Sequence, residues 1–271
     1  MGYLSQVVDI ADLGQHKFVT IYGKSGSGKT ELGSTFPKPM LYLRIGDDGS
    51  NTIKTKKGIK ALPIKNLAEL SAVLKELIDL AEHGKLKYKT VFADTFSMVT
   101  NIWIKENALD KNKKMTQQMW GDLKTETEEL IRLCHRLAEY CWVLASCHEV
   151  SDSFEGMEDE ILPDIHPSTT KGARTYLEGM SNYGLHTLIK KKEVTVDGVD
   201  KTIATYICQI GPNPYYWTKL QKPKDLKVPA QVRDLTYQKL IKILGLPLTN
   251  RHNAFGNIQH YFGGIYHGTQ S

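Results

Sequence analysis

The sequence has no run approaching 18 apolar residues, and its mean hydropathy is −0.35. A membrane-spanning helix is therefore not expected. No basic flank precedes an apolar core in the opening MGYLSQVVDIADLGQHK, so no secretory signal is visible and a cytoplasmic setting is expected. Cysteine is scarce, with four residues in 271, and none of them forms C-x-x-C or sits at a zinc-finger spacing from histidine. Cys134, Cys141, Cys147 and Cys208 read instead as buried, reduced thiols. An excess of one charge is also lacking. Lys and Arg number 35 against 30 Asp and Glu, a net charge of +5, which permits an anionic partner without demanding one. There is no internal repeat and no linker that clearly splits the chain. What remains, 41% hydrophobic and 24% charged residues, is ordinary globular usage and excludes a disordered or fibrous chain.

Short β-rich runs alternate with helical patterns. KFVTIY (17–22) ends at Gly23, and PMLYLRI (39–45) ends in the turn cluster Gly46-Asp47-Asp48-Gly49-Ser50. Asn66 with Glu69 three residues on is a capping-box spacing, and Leu67, Leu70, Leu74, Leu77 and Ile78 form the apolar side of a helix that ends at Gly84. YKTVFAD (88–94) is a third strand, and a second long helix is predicted over about 122–140. WVLASC (142–147) is a fourth strand. GLHTLIKKKEVTV and TIATYICQI, joined around Asp197-Gly198, read as a hairpin. Residues 151–182 read as a long loop, and one further helix is expected near 234–244 before a tail. Continuously apolar strands between helices predict an α/β fold, with a mainly parallel sheet covered on both faces and an antiparallel edge hairpin.

The strongest motif is Gly23-Lys24-Ser25-Gly26-Ser27-Gly28-Lys29-Thr30, which fits G-x-x-x-x-G-K-[ST] at every fixed position. It follows a strand and precedes the helical ELGSTF, as phosphate binding requires. Its glycines let backbone N–H groups turn inward around phosphates, and the helix N-terminus adds partial positive charge. Lys29 is expected to reach the β- and γ-phosphates, and Thr30 to bind Mg²⁺. Asp94, the carboxylate ending an apolar strand, is expected to hold the metal's water; capping of the next helix would also explain it. Asp47 and Asp48 are candidates for activating water, although a turn accounts for an Asp-Asp-Gly cluster equally well. His148 ends WVLASC and is either a γ-phosphate sensor or a structural histidine.

These pieces occur in an informative order: GKSGSGKT (23–30), LYLRIGDDG (41–49), TVFADTFS (90–97), WGDL (120–123) and VLASCHE (143–149). HPSTTKGARTYLEGMSNYGLHTLI (166–189) and TKLQKPKDLKVP (218–229) follow. In this order the sequence resembles the RecA-like P-loop ATPase core, most closely the compact phage-encoded RecA-like proteins grouped with single-strand annealing recombinases. The resemblance covers roughly residues 15–230. It divides the chain into an N-terminal segment (1–16) suited to subunit contact, an ATPase core (17–230), and a C-terminal helix and tail (231–271). It implies a Glu at the end of the second strand, where Asp47 and Asp48 stand here, and a polar sensor at His148. It further implies basic residues that reach into a neighbouring subunit's site, Lys219 and Lys222 in this chain.

The function so implied is an ATP- and Mg²⁺-dependent ATPase that assembles as a ring or filament on single-stranded DNA and promotes annealing or recombination. It would act in the host cytoplasm, with a single-strand-binding protein as a candidate partner. Basic clusters at Lys54/Lys56/Lys57/Lys60, Lys111/Lys113/Lys114 and Lys190/Lys191/Lys192, and Lys171 and Arg174 near Tyr176, offer backbone contacts. The acidic EGMEDE (155–160) opposes them in the same loop. The alternatives are a helicase, loader or packaging motor, or an ATP-switched DNA-binding module with little hydrolysis.

Overall fold

A computed structural model describes residues 16–46, 50–152, 160–164, 170–196 and 199–246. β1 (Phe18–Tyr22) leads through the glycine-rich loop into the short helix α1 (Lys29–Ser34). β2 (Met40–Ile45) and β3 (Ile59–Ile64) follow, then α2 (Leu67–Glu82). In α2 the Asn66 side chain accepts from the Glu69 N–H at 2.7 Å. Glu69 reaches back to the Lys65 N–H at 2.8 Å, one residue before the cap. β4 (Thr90–Asp94) is followed by α3 (Met98–Asn107) and the long α4 (Gln117–Leu137). Then come β5 (Trp142–Asp152), β6 (Glu160–Asp164), α5 (Thr170–Met180) and a ribbon of β7 (Tyr183–Val196) and β8 (Val199–Gln209). β9 (Lys219–Leu220), β10 (Gln231–Arg233) and α6 (Tyr237–Ile243) complete the described chain.

The sheet runs β10-β8-β7-β1-β5-β4-β2-β3. Pairing from β7 through to β3 is parallel, and β8 and β10 add antiparallel strands at one edge. This is a mixed α/β architecture with the edge hairpin the pattern predicts. β7 and β8 pair from His186↔Gln209 out to Val196↔Val199, and the Asp197-Gly198 turn lies outside the described residues.

The apolar strands are explained by burial on both faces. Phe18, Leu43, Val91 and Val143 face a layer built from α2, α4 and α5, including Leu70, Leu74, Leu130 and Leu177. Their strand neighbours Val19, Tyr42, Phe92 and Leu144 face Leu32 and Phe36 near α1 and Leu240 on α6. Alternation is therefore present but hidden, because both alternating sets are apolar.

Several elements depart from expectation. Residues 151–182 are not one loop. β5 continues past Cys147 and pairs antiparallel with β6, and α5 buries Ala173 and Leu177. α4 starts at Gln117, where Thr116 caps the Met119 N–H at 3.2 Å, five residues earlier than the pattern suggests. β3 is an additional edge strand, which tolerates Pro63 because among the described residues it has one neighbour, β2. The four cysteines are free and buried, as expected. Burial pushes the Cys134 and Cys141 thiols up to about 12, and Cys208 further up. Among the described residues no helix is long and apolar enough to cross a membrane.

Candidate functional site

The loop of residues 23–30 sits at the C-terminal ends of the parallel strands. Gly23 is required by close approach: a Cβ there would lie 2.2 Å from the Thr187 carbonyl oxygen on β7. Gly28 holds φ 94° as the N-cap of α1 and gives it no side-chain cap, so the cap position supplies no competing acceptor. Ser27 Oγ lies 2.7 Å from Thr187 Oγ1, which donates to the Tyr22 carbonyl at 3.2 Å. These contacts fasten the loop to β7. The Lys29 ammonium is buried and donates to the carbonyls of Gly23 at 2.8 Å and Lys24 at 2.9 Å, across the loop.

Asp94, at the end of β4, is 1% exposed. It can carry a buried charge because four hydroxyls donate to it. Thr30 (2.7 Å) and Tyr42 (2.9 Å) donate to Oδ2, and Thr95 (3.1 Å) and Ser146 donate to Oδ1. Thr30 and Asp94, 64 residues apart in sequence, are thus in direct contact. The Thr30 hydroxyl proton is committed to Asp94, which leaves its oxygen lone pairs for a cation. Among the described residues no group of three or more His, Cys, Asp and Glu could hold a metal by itself. The donor set fits Mg²⁺, which is typically bound by one or two protein oxygens together with phosphate oxygens and water.

One cavity of about 720 Å³ is bordered by the loop with its Thr30, by Asp94 and by His148, so three sequence-predicted groups meet there. The His148 backbone N–H donates to Ser97 Oγ at 2.9 Å, fixing the strand at that point. Asp47 and Asp48 fall outside the described residues. Lys219 and Lys222 do not border this cavity. Lys219 donates to the carbonyls of Glu178 and Gly179, at the end of α5, at 2.9 and 2.8 Å. Burial lowers its pKa, opposed by Glu178. Lys222 donates to the Leu226 carbonyl at 2.6 Å. Arg174, expected in a DNA-facing loop, is buried on α5.

Sequence reasoning missed a second cluster on the flank of the loop. Glu149, next to His148, accepts from or pairs with His186 Nε2 at 2.8 Å and lies 3.9 Å from the Lys24 ammonium. His186 is 1% exposed and stacks on Tyr216 with ring centroids 4.2 Å apart. Burial lowers its pKa, and the cations of Lys29 and Lys24 push the same way. The hydrogen bond and charge of Glu149 oppose the shift without cancelling it. Its Nδ1 is buried without a hydrogen-bond partner among the described residues. The only sequence signal was a His-Glu pair at a strand end. The partner is supplied by β7, 37 residues further on.

A family model described as an AAA domain matches residues 16–218. A stretch of 89 residues is 36% identical to the SPbeta prophage-derived uncharacterized protein YorG of Bacillus subtilis (strain 168). That stretch is 33% of this chain and 26% of the relative, so the likeness spans about a quarter of that protein's length.

Proposed function

The chain belongs to the AAA domain family of P-loop ATPases, and from that premise we propose that it binds ATP with Mg²⁺ at residues 23–30, hydrolyses it, and assembles with further copies of itself on single-stranded DNA to promote annealing or recombination. The observation that carries the nucleotide part is the Thr30–Asp94 contact at the mouth of the loop, within one cavity with His148. Lys29 neutralises charge on the β- and γ-phosphate oxygens once it leaves the loop carbonyls. His148 and the Asp47-Asp48 pair are the groups assigned to sensing the γ-phosphate and positioning water. When bound, Mg²⁺ supplies further charge neutralisation. Positioning and electrostatics provide most of the catalysis of phosphoryl transfer, so these groups suffice in kind.

The DNA part rests on the order of motifs that resembles RecA-like phage proteins. The prophage origin of the Bacillus subtilis relative is in keeping with it. Lys219 and Lys222 are assigned to the neighbouring subunit's site. They would have to release their own carbonyls on assembly, and trans-acting basic groups of this kind contribute about 10³-fold or more to turnover.

The decisive experiment combines two variants. Lys29→Ala should lose nucleotide affinity by on the order of 100-fold, the worth of charge-assisted bonds, while the fold persists by circular dichroism. Lys219→Ala should bind ATP normally and hydrolyse it slowly. Mixed oligomers of the two should recover part of the DNA-stimulated ATPase activity, because some composite sites contain both intact parts. Wild-type ATPase activity in Lys29→Ala would overturn the nucleotide site. Mixed oligomers that form without recovery would overturn the intersubunit role. Single-strand binding should also weaken steeply between about 50 and 200 mM salt, as phosphate contacts release counterions.

A further inference from the structure

The cavity is larger than a triphosphate needs, and its volume of about 720 Å³ lies within the range of whole-ligand pockets. Beyond the loop it is bordered by Tyr206 on β8 and by the turn Asp234-Leu235-Thr236. None of these belongs to a motif read from the sequence. Tyr206 is 46% exposed, and its ring lies over Gly28, where a Cβ would approach Cδ1 to 3.1 Å. One side of the ring therefore faces the phosphate loop at contact distance.

The turn is held in register with that ring and with α1. The Asp234 N–H donates to the Tyr206 carbonyl at 2.9 Å. The Lys239 ammonium donates to the Asp234 carbonyl at 2.9 Å and to that of Arg233 at 3.1 Å. The Tyr237 N–H donates to Thr35 Oγ1, at the end of α1, at 2.8 Å. Asp234 itself takes φ 46°, a left-handed conformation that costs a non-glycine residue energy and recurs at ligand sites. Arg233 Nε donates to Asp234 Oδ2 at 3.2 Å, which leaves the other carboxylate oxygen to read a ligand.

We infer that Tyr206 and Asp234 form the base pocket of the nucleotide site and select adenine over guanine. The Tyr206 ring stacks on the purine. Asp234 Oδ1 accepts one hydrogen bond from the exocyclic 6-amino group of adenine. Guanine presents an acceptor oxygen at that position, which a carboxylate repels. The inference rests on the nucleotide reading above and adds to it the residues that identify the base.

The test is calorimetric titration of the full chain with three probes: ADP, GDP and inorganic tripolyphosphate. The wild-type protein should bind ADP about tenfold or more tighter than GDP, the range of one charge-assisted hydrogen bond. Asp234→Ala should remove that preference, weakening ADP and relieving the repulsion that disfavours GDP. Asp234→Asn keeps one acceptor oxygen and tolerates the left-handed backbone, so it should restore part of the preference. Tyr206→Ala should weaken ADP and GDP alike by about tenfold, as loss of base stacking does. Tripolyphosphate affinity should be unchanged in all three variants. Equal ADP and GDP affinity in the wild type, or an undiminished preference in Asp234→Ala, would overturn the base pocket while tripolyphosphate binding still upheld the phosphate loop. Failure to bind any of the three probes would overturn both readings.

Discussion

Asp94 shows how much a single carboxylate in this site depends on its neighbours. It is almost fully buried yet satisfied by hydroxyls from four separate segments: the loop helix, β2, its own following residue and β5. Asp94→Asn would turn an amide donor toward some of those hydroxyls and remove the charge that attracts a cation. Metal-ligand and supporting substitutions cost about 10–100-fold in metal affinity or activity. The Mg²⁺-dependent gain in ADP affinity should therefore fall by that factor, measured by titration with and without Mg²⁺, while Mg²⁺-independent binding stays near wild type. At this scale legibility followed contiguity. Gly23 through Thr30 carry their chemistry in eight consecutive residues, so the loop was readable directly. Asp94 was readable because an apolar run that ends in a carboxylate is itself a local pattern. Glu149 meets His186 only when β5 and β7 are laid on either side of β1, and Tyr206 meets Asp234 only when β10 is laid beside β8. No spacing in the chain records that.

The elements follow the same logic. α2 was legible because its leucines keep a helical period and Asn66 caps it. α5 was hidden because Gly172 and Gly179 interrupt a short apolar set of Ala173, Tyr176, Leu177 and Met180. α1 is too short for any period, and its position is decided instead by packing. Gly33 faces Phe92 on β4 so closely that a Cβ would lie 2.4 Å from the ring. Gly33→Ala gains helix propensity of up to about 1 kcal/mol. Against this stands an overpacking cost of about 1–3 kcal/mol, because the ring is fully buried and has nowhere to move. The net effect should be destabilising, at roughly 2–4 °C of melting temperature per kcal/mol, read by calorimetry. Because α1 carries Lys29 and Thr30, nucleotide affinity should fall with it. An alanine variant as stable as wild type would contradict the close packing.

For the molecule as a whole, the buried His186 links stability to pH. Burial holds its folded-state pKa below the ordinary value of 6.5. Below about pH 6.5 the unfolded chain takes up a proton that the folded chain refuses, so stability rises with pH across that window. The contribution of the neutral ring is complete above that pH and is lost as pH falls toward the lower folded value. Melting temperature should drop between pH 7 and 5, and His186→Gln should flatten that slope. His135, whose pKa is lowered first by burial and further by His16 and Lys219, adds a slope of the same sign that the variant retains. A larger consequence lies in β7. Its first residues, Tyr183 to His186, are clamped to β1, and Thr187 touches the phosphate loop. From there to Val196 the strand is paired with β8 alone among the described residues. Nine residues at about 3.3 Å each make a cantilever of roughly 30 Å, rooted beside the glycine-rich loop. A tilt of only about 5° at the root carries its far end through roughly 2–3 Å by the same length. A small displacement of the loop at Thr187 would therefore be magnified along the ribbon.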